Sequence, residues 1–171
     1  MNNISEKIFF IKDIISRGSY KEAYTLSSDI PNSNENQLRI FESKLNGYDV
    51  NKVICLLIDC SEDDISEIES MIDDEMKITY DMCNYGIGPK IIYYDKTETI
   101  LHNNRKYKYY LCERFINNIG DTRILPKNCS TYLDKLLNDI FVKVSREGYI
   151  YLDNKIEHIF YTIEDSNYIF K

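Results

Sequence analysis

Two charged residues near the C-terminal end of the sequence have the types and spacing that proton and phosphate chemistry require. In the stretch GYIYLDNKIEHIFYT, Asp153 follows a Gly-led apolar run and Lys155 stands two positions later. Such a carboxylate can accept a proton from an attacking hydroxyl or orient it, and the ammonium can neutralise charge on a transferring phosphoryl group. Taken alone, however, the stretch favours the simpler interpretation, a solvated Asp-Asn-Lys turn.

A second candidate is a carboxylate on the apolar side of a predicted helix. The segment SEDDISEIESMIDDEMKITYDMCNYG has acids in its first turn, apolar residues at helical spacing and Gly86 as its stop. Glu75 lies three residues after Ile72 and four before Thr79, so it falls on that apolar face. A carboxylate there either curls out to solvent at the edge of the face or organises a lysine on the neighbouring sheet.

A third candidate is the turn in ISRGSYKEAY. Gly18 and Ser19 stand between two segments that predict strands. A glycine in a strand–turn–strand unit lets backbone N–H groups approach a phosphate. An ordinary hairpin is the alternative interpretation of this turn.

The elements that must position these residues predict an α+β fold. Strands are expected on both sides of Gly18, at residues 52–60, in PKIIYYD, in KYKYYLCERF and as a final pair in IFYT and YIFK. Residues 28–50 are expected to be a long loop with a short helical piece at 36–44, and residues 95–104 a polar turn. A second helix is expected in STYLDKLLNDIFVKVSREG. This order predicts an antiparallel sheet with one helix packed on it, followed by the helical start of a second lobe.

Composition and charge exclude several classes of protein. The 171 residues are 43% hydrophobic and 29% charged, which predicts a folded core, and the net charge of −7 argues against a broad basic face for nucleic acid or anionic lipid. No apolar run is long enough to span a membrane, and charged residues interrupt the N-terminal apolar segment, which argues against a secretion signal. Five cysteines without a CxxC pair predict reduced thiols in a cytoplasmic protein.

Taken together and in this order, the segments resemble a protein kinase of the divergent Ser/Thr type found in large DNA viruses. ISRGSYKEAY resembles the Gly-rich loop G-x-G-x-x-G-x-V, with Ser16 at the first glycine, Gly18 at the middle one and Lys21 at the third. Ala23 then stands at the valine. DEMKITYDMCNYGIGPKIIYY resembles helix αC running into the next strand, with Glu75 at the αC glutamate.

The resemblance continues through the hinge to the catalytic loop. YYLCERF resembles the last N-lobe strand and the hinge, which implies that Cys112 lies near the gatekeeper and that Glu113 to Phe115 border the adenine. YLDNKIEH aligns with H-R-D-L-K-P-E-N, which implies that Asp153 is the catalytic Asp and Lys155 the catalytic-loop Lys. Gly18 and Ser19 would then cover the phosphates of ATP.

Several positions depart from the kinase pattern. His158 stands where the family has the Asn that binds the second magnesium, and an imidazole suits magnesium poorly. The strand lysine that pairs the αC glutamate should fall near Leu56 or Leu57, and neither is basic; Lys52 is the nearest substitute. The Asp-Phe-Gly motif is expected after the final strand pair, so the sequence is interpreted as a kinase domain truncated before that motif.

The resemblance implies a kinase N-lobe in residues 1–115 and, in residues 116–171, a hinge and partial C-lobe with helix αE, a catalytic-loop-like segment and a β-hairpin. The function predicted first is a truncated, catalytically impaired pseudokinase that acts as a regulator or decoy. It would bind a protein partner, a kinase or a kinase substrate, or self-associate through the truncated C-lobe.

Two alternatives remain. One is an active Ser/Thr kinase, completed by a separate C-terminal part, that transfers the ATP γ-phosphate to protein. The other is a small α+β interaction domain without a nucleotide site. The cofactors are ATP and Mg²⁺ if the site functions and none otherwise, with no nucleic-acid or membrane partner expected. The expected location is the cytoplasm, that of the host if the protein is viral.

Overall fold

The sheet and helices predicted from the sequence are present in the structure, a computed structural model. It describes residues 6–18, 20–31, 38–61, 65–116, 129–150, 160–164 and 167–170. Within these ranges the protein is α+β, with antiparallel strands and two α-helices, as predicted. Contacts divide the chain into two units: the first is Met1–Thr79 with Lys90–Arg114, and the second is Tyr80–Pro89 with Phe115–Lys171.

An antiparallel seven-stranded sheet forms the first unit. Its strands are β1 (Ile8–Arg17), β2 (Lys21–Ser27), β3 (Arg39–Phe41), β4 (Val53–Asp59), β5 (Ile91–Tyr94), β6 (Ile100–His102) and β7 (Arg105–Glu113). The order across the sheet is β3-β1-β2-β4-β7-β5, and β6 pairs with β7. Helix α1 (Ile65–Asn84) follows β4 in the chain, so it is inserted between two strands of one sheet.

The continuous apolar run of β4 is explained by burial on both faces. Val53, Cys55 and Leu57 belong to one hydrophobic cluster, while Leu56 and Ile58 belong to a second cluster on the opposite face. Successive side chains of a strand point to opposite faces, so a central strand with both faces covered has no polar positions. Strand β4 therefore lies at the centre of the first unit, with a hydrophobic cluster on each of its faces.

Helix α1 packs on the second of these clusters. Its buried residues, Ile68, Ile72 and Met76, recur at i, i+4 and i+8. Lys108 of β7, only 5% exposed, lies 3.5 Å from the Glu69 carboxylate, which adds a polar contact between the sheet and the helix. The stripe and this ion pair fix the rotation of the helix, which decides where Glu75 points.

The second unit contains a helix and a hairpin, as the sequence predicted. Helix α2 is Cys129–Arg146, and β8 (Tyr161–Glu164) pairs with β9 (Asn167–Phe170). Val144 of α2 is buried, and the Tyr149 hydroxyl donates a hydrogen bond to the Asp81 carboxylate. Neither α1 nor α2, the α-helices of the described ranges, is long and apolar enough to cross a membrane.

Two predicted loops contain further structure. The helical piece expected at 36–44 is wrong over Arg39–Phe41, which form β3 and pair with β1. A 3₁₀ turn follows at Glu42–Leu45, and another lies at Val50–Lys52. Leu38, Ile40 and Leu45 are buried, which draws this segment onto the sheet. The predicted turn at 95–104 contains β6, which returns to β7 through Asn103 and Asn104 in left-handed conformation, as a tight hairpin requires.

Candidate functional site

An ion pair joins the sheet to the helix at the start of β2. The Lys21 Nζ donates to Glu75 Oε1 at 2.6 Å, and the Tyr110 hydroxyl donates to the same oxygen at 2.7 Å. Lys21 Nζ also lies 3.4 Å from the Tyr110 hydroxyl oxygen. The three side chains thus form one closed cluster across β2, α1 and β7.

The strand register and the helix rotation place these groups together. Lys21 pairs with Ile58 of β4 and shares a strand face with Ala23, which lies in the cluster under α1. Glu75 is adjacent to the buried Met76 and one turn beyond Ile72. The side chain of Lys21 is 31% exposed and that of Glu75 is 14% exposed, so a ligand can reach the ammonium while the carboxylate stays largely covered.

Tyr110 acts as a hydrogen-bond donor to this pair. Burial and the neighbouring Glu75 charge raise the pKa of the Tyr110 hydroxyl far above its ordinary value. The phenol therefore keeps its proton at neutral pH and holds Glu75 Oε1 in place. The other oxygen, Glu75 Oε2, is buried and has no hydrogen-bond partner among the described residues, so it retains acceptor capacity.

The Gly18 N–H is not free to bind a ligand. The Gly18 N–H donates to the Lys21 carbonyl at 2.7 Å, which closes the β1–β2 turn. A Cβ added at Gly18 would lie 3.4 Å from that same oxygen, a contact at the edge of ordinary packing. The predicted role of the Gly18 N–H, contact with a phosphate, would require this hydrogen bond to open. Ser19, the second predicted residue of the turn, lies outside the described residues.

The lysine expected to pair Glu75 is the wrong one. Lys52 ends the 3₁₀ turn before β4, and its carbonyl accepts a hydrogen bond from the Arg114 N–H at 2.9 Å. It lies six positions before Ile58, about 20 Å along an extended strand at 3.3 Å per residue, whereas Lys21 is directly opposite Ile58. The partner of Glu75 is Lys21.

The predicted adenine-edge residues lie where β7 ends. Glu113 pairs with Val53, and its N–H donates to the Lys90 carbonyl at 2.9 Å. The ring of Phe115 packs against that of Phe160, with centroids 5.7 Å apart, within the second unit. Asp153 and Lys155, predicted to be catalytic, and His158, predicted to bind metal, lie outside the described residues and stay predictions.

The sequence contains part of the signal for Lys21. It stands at the third glycine of the loop pattern and two positions before Ala23, so a period of two already puts it on the face toward α1. The kinase pattern has its lysine on the strand at 52–60, so the pattern alone does not point to Lys21. A cation on the adjacent strand reaches the same carboxylate since neighbouring strands are only about 5 Å apart.

A groove opens beside the Lys21–Glu75 pair. It has a volume of about 700 Å³ and runs between Tyr20 at the tip of the β1–β2 turn and the outer side of α1. Its wall on α1 includes Glu67, Met71, Asp74 and Ile78. Within the described ranges, no group of three or more His, Cys, Asp or Glu side chains is placed to hold a metal ion.

No protein-family model matches the chain, and no curated protein does either.

Proposed function

We propose that the chain is a protein-kinase-like domain that binds the phosphates of a nucleotide through Lys21 and serves as a pseudokinase-type regulator of another protein. The observation that carries the proposal is the 2.6 Å ion pair between Lys21 on the sheet and Glu75 on the inserted helix. A carboxylate of helix αC that organises a lysine on the sheet is what the resemblance to kinases implies for this helix.

The arrangement of elements supports the same proposal. The β1–β2 hairpin with Gly18 at its turn, the central strand β4, helix α1 and the strands β5 and β7 come in the order that the resemblance implies. The short strands β3 and β6 are additions to that order. Glu75 faces the sheet and pairs with a lysine there, rather than curling out to solvent. Compared with the kinase pattern, the lysine lies on β2 and not on the central strand β4, whereas the carboxylate is at the expected position on α1.

Lys21 has the chemistry to hold a phosphate. A lysine ammonium donates three hydrogen bonds, and the bonds to Glu75 Oε1 and toward Tyr110 leave donor capacity for an incoming anion. The adjacent carboxylate accepts one of these bonds and fixes the direction of the ammonium. In the proposed complex, Lys21 binds phosphate oxygens while Glu75 and Tyr110 position it.

The regulator role, rather than independent catalysis, is supported by the sequence. His158 replaces the Asn that holds magnesium in kinases, and only Gly18 of the three loop glycines is present. The proposed partner is a protein, a kinase or a kinase substrate.

One observation favours the alternative of an interaction domain without a nucleotide site. The Gly18 N–H is already bonded to the Lys21 carbonyl, so the turn offers one donor fewer to a phosphate than a Gly-rich loop would. In that alternative the Lys21–Glu75 pair only attaches the helix to the sheet. A binding experiment separates the two functions.

The experiment is calorimetric titration of the chain with ATP in magnesium buffer. We expect binding by the wild type and a loss of about tenfold or more in affinity for Lys21→Met, because the variant removes a charge-assisted contact to phosphate. The matched control is Lys52→Met, the same chemical change at the lysine that does not reach Glu75, and it should bind ATP as the wild type does.

Two results would contradict the proposal. If a wild-type chain that unfolds cooperatively does not bind ATP, the remaining function is that of an interaction domain without a nucleotide site. Equal losses in the Lys21 and Lys52 variants would show that net charge, and not this site, attracts ATP. The active-kinase alternative is tested separately by transfer of labelled γ-phosphate to the chain or to a generic protein substrate, which the regulator role predicts to be no greater than in Asp153→Asn.

A further inference from the structure

The outer side of helix α1 carries a regular stripe that the fold does not use. Glu67, Met71, Asp74 and Ile78 follow one another at i, i+4, i+7 and i+11, which places them on one line along the helix. The residues that pack α1 on the sheet lie on a different line. The stripe therefore alternates acidic and apolar side chains along the wall of the groove.

The apolar members of the stripe are unusually open. Met71 is 40% exposed and Ile78 is 44% exposed, and Tyr20, across the groove, is 48% exposed. One exposed apolar residue needs no explanation, but three that line the same concave surface mark a contact site for another molecule. The stability of the first unit does not account for them.

The charge of the groove selects the occupant. The side chains that line it include three carboxylates, those of Glu67, Asp74 and Glu75, against one ammonium, that of Lys21. Lys21 already neutralises Glu75, whereas Glu67 and Asp74 have no ion pair or hydrogen bond with any described residue. The carboxylates of Glu67 and Asp74 on the α1 wall would attract a cationic partner.

We infer that this groove is a docking site for a basic amphipathic helix of a partner protein. Apolar side chains of the partner would pack on Met71, Ile78 and Tyr20, and its Arg or Lys side chains would pair with Glu67 and Asp74. Helix-in-groove recognition uses anchors at this i, i+3, i+4 and i+7 spacing. Binding of such a helix needs no nucleotide, so it can be tested independently of phosphate binding by Lys21.

The test uses fluorescence anisotropy with a short labelled peptide that repeats Leu and Arg at helical spacing, in the absence of nucleotide. We expect the full chain to bind it, and Glu67→Lys with Asp74→Lys to weaken binding about tenfold or more. The matched control is Asp134→Lys with Asp139→Lys, two exposed acids of α2, which changes the net charge equally and should alter affinity by less than about twofold.

The apolar contacts are tested with Met71→Ala and Ile78→Ala together, exposed positions at which truncation should leave the fold intact. This double variant should bind the peptide about fivefold or more weakly than the wild type does. A wild-type chain that does not bind the peptide, or equal losses in the α1 and α2 charge variants, would overturn the inference. So would a self-association in sedimentation that the α1 charge variants abolish, because the occupant would then be a second copy of the chain.

Discussion

Replacing Ile72 with alanine is expected to lower the free energy of unfolding by about 2–5 kcal/mol. The side chain of Ile72 is fully buried, at 0% exposure, and belongs to the cluster that joins α1 to β2, β4 and β7. Truncation leaves a cavity between a helix and a sheet, neither of which can move inward without disturbing the other. Urea denaturation followed by circular dichroism measures the loss.

Met71→Ala is the control for this prediction. Met71 lies on the same helix and loses a comparable volume, but its side chain is 40% exposed, so the variant should change the free energy of unfolding by less than about 1 kcal/mol. Equal losses in the two variants would mean that α1 packs with another face than the one described. The position assigned to Glu75 would then be wrong as well.

The same helix shows how far the sequence predicts the site. Ile68 and Ile72 recur at helical spacing within a long segment, so the helix, its inward face and the side on which Glu75 lies all follow from the pattern. The partner of Glu75 does not follow from that pattern. It depends on the β2–β4 register, which sets Lys21 against Ile58, and register is a property of the assembled sheet.

For a related reason, the sequence does not predict the short strands β3 and β6. Strand β3 has three residues and β6 has three, too few for a period of two to be distinguished from chance. Each is a strand because a longer neighbour, β1 or β7, offers it backbone hydrogen-bonding groups. Elements defined by their neighbours in this way leave little local signal in a sequence.

The exposed position of the outer stripe of α1 does not follow from the apolar pattern of the helix alone. Counted by hydrophobicity alone, Met71 and Ile78 look like further core residues, and only the rotation fixed by Ile72 shows that they face outward. Helix α1 therefore has two apolar surfaces, one buried and one exposed. The sheet covers the first, and the second is the surface that we propose a partner helix covers.

Removing the Glu98 carboxylate is the second change expected to have a large effect, on the face of the sheet opposite α1. Lys44 Nζ lies 2.7 Å from Glu98 Oε2, and the hydroxyls of Tyr93 and Tyr109 donate to the same oxygen at 2.8 and 3.0 Å. Glu98→Ala leaves the largely covered Lys44 ammonium and the buried Tyr109 hydroxyl without this acceptor. We expect a loss of about 1–3 kcal/mol in the free energy of unfolding.

The Glu98 contribution should disappear in acid. Burial alone would raise the pKa of Glu98, but the hydrogen bonds from Lys44, Tyr93 and Tyr109 outweigh it and hold the pKa below the ordinary value of 4.5. A carboxyl with a lowered pKa in the folded state adds stability above its unfolded-state pKa and loses it as the pH falls through the folded-state pKa. The difference between wild type and Glu98→Gln should therefore be full at neutral pH and shrink below about pH 4.5.

Urea denaturation of both proteins at a series of pH values measures this change. Glu42→Gln, the same substitution at an exposed carboxyl of a 3₁₀ turn, serves as the control and should stay within about 0.5 kcal/mol of the wild type at neutral pH. A Glu98→Gln deficit that stays constant into acid would show that the charge on Glu98 does not supply the stabilisation. The replacement of an acceptor oxygen by an amide NH2 donor would then account for the deficit. The charge of the Lys44–Glu98 pair would bring no net benefit, as in many partly exposed ion pairs.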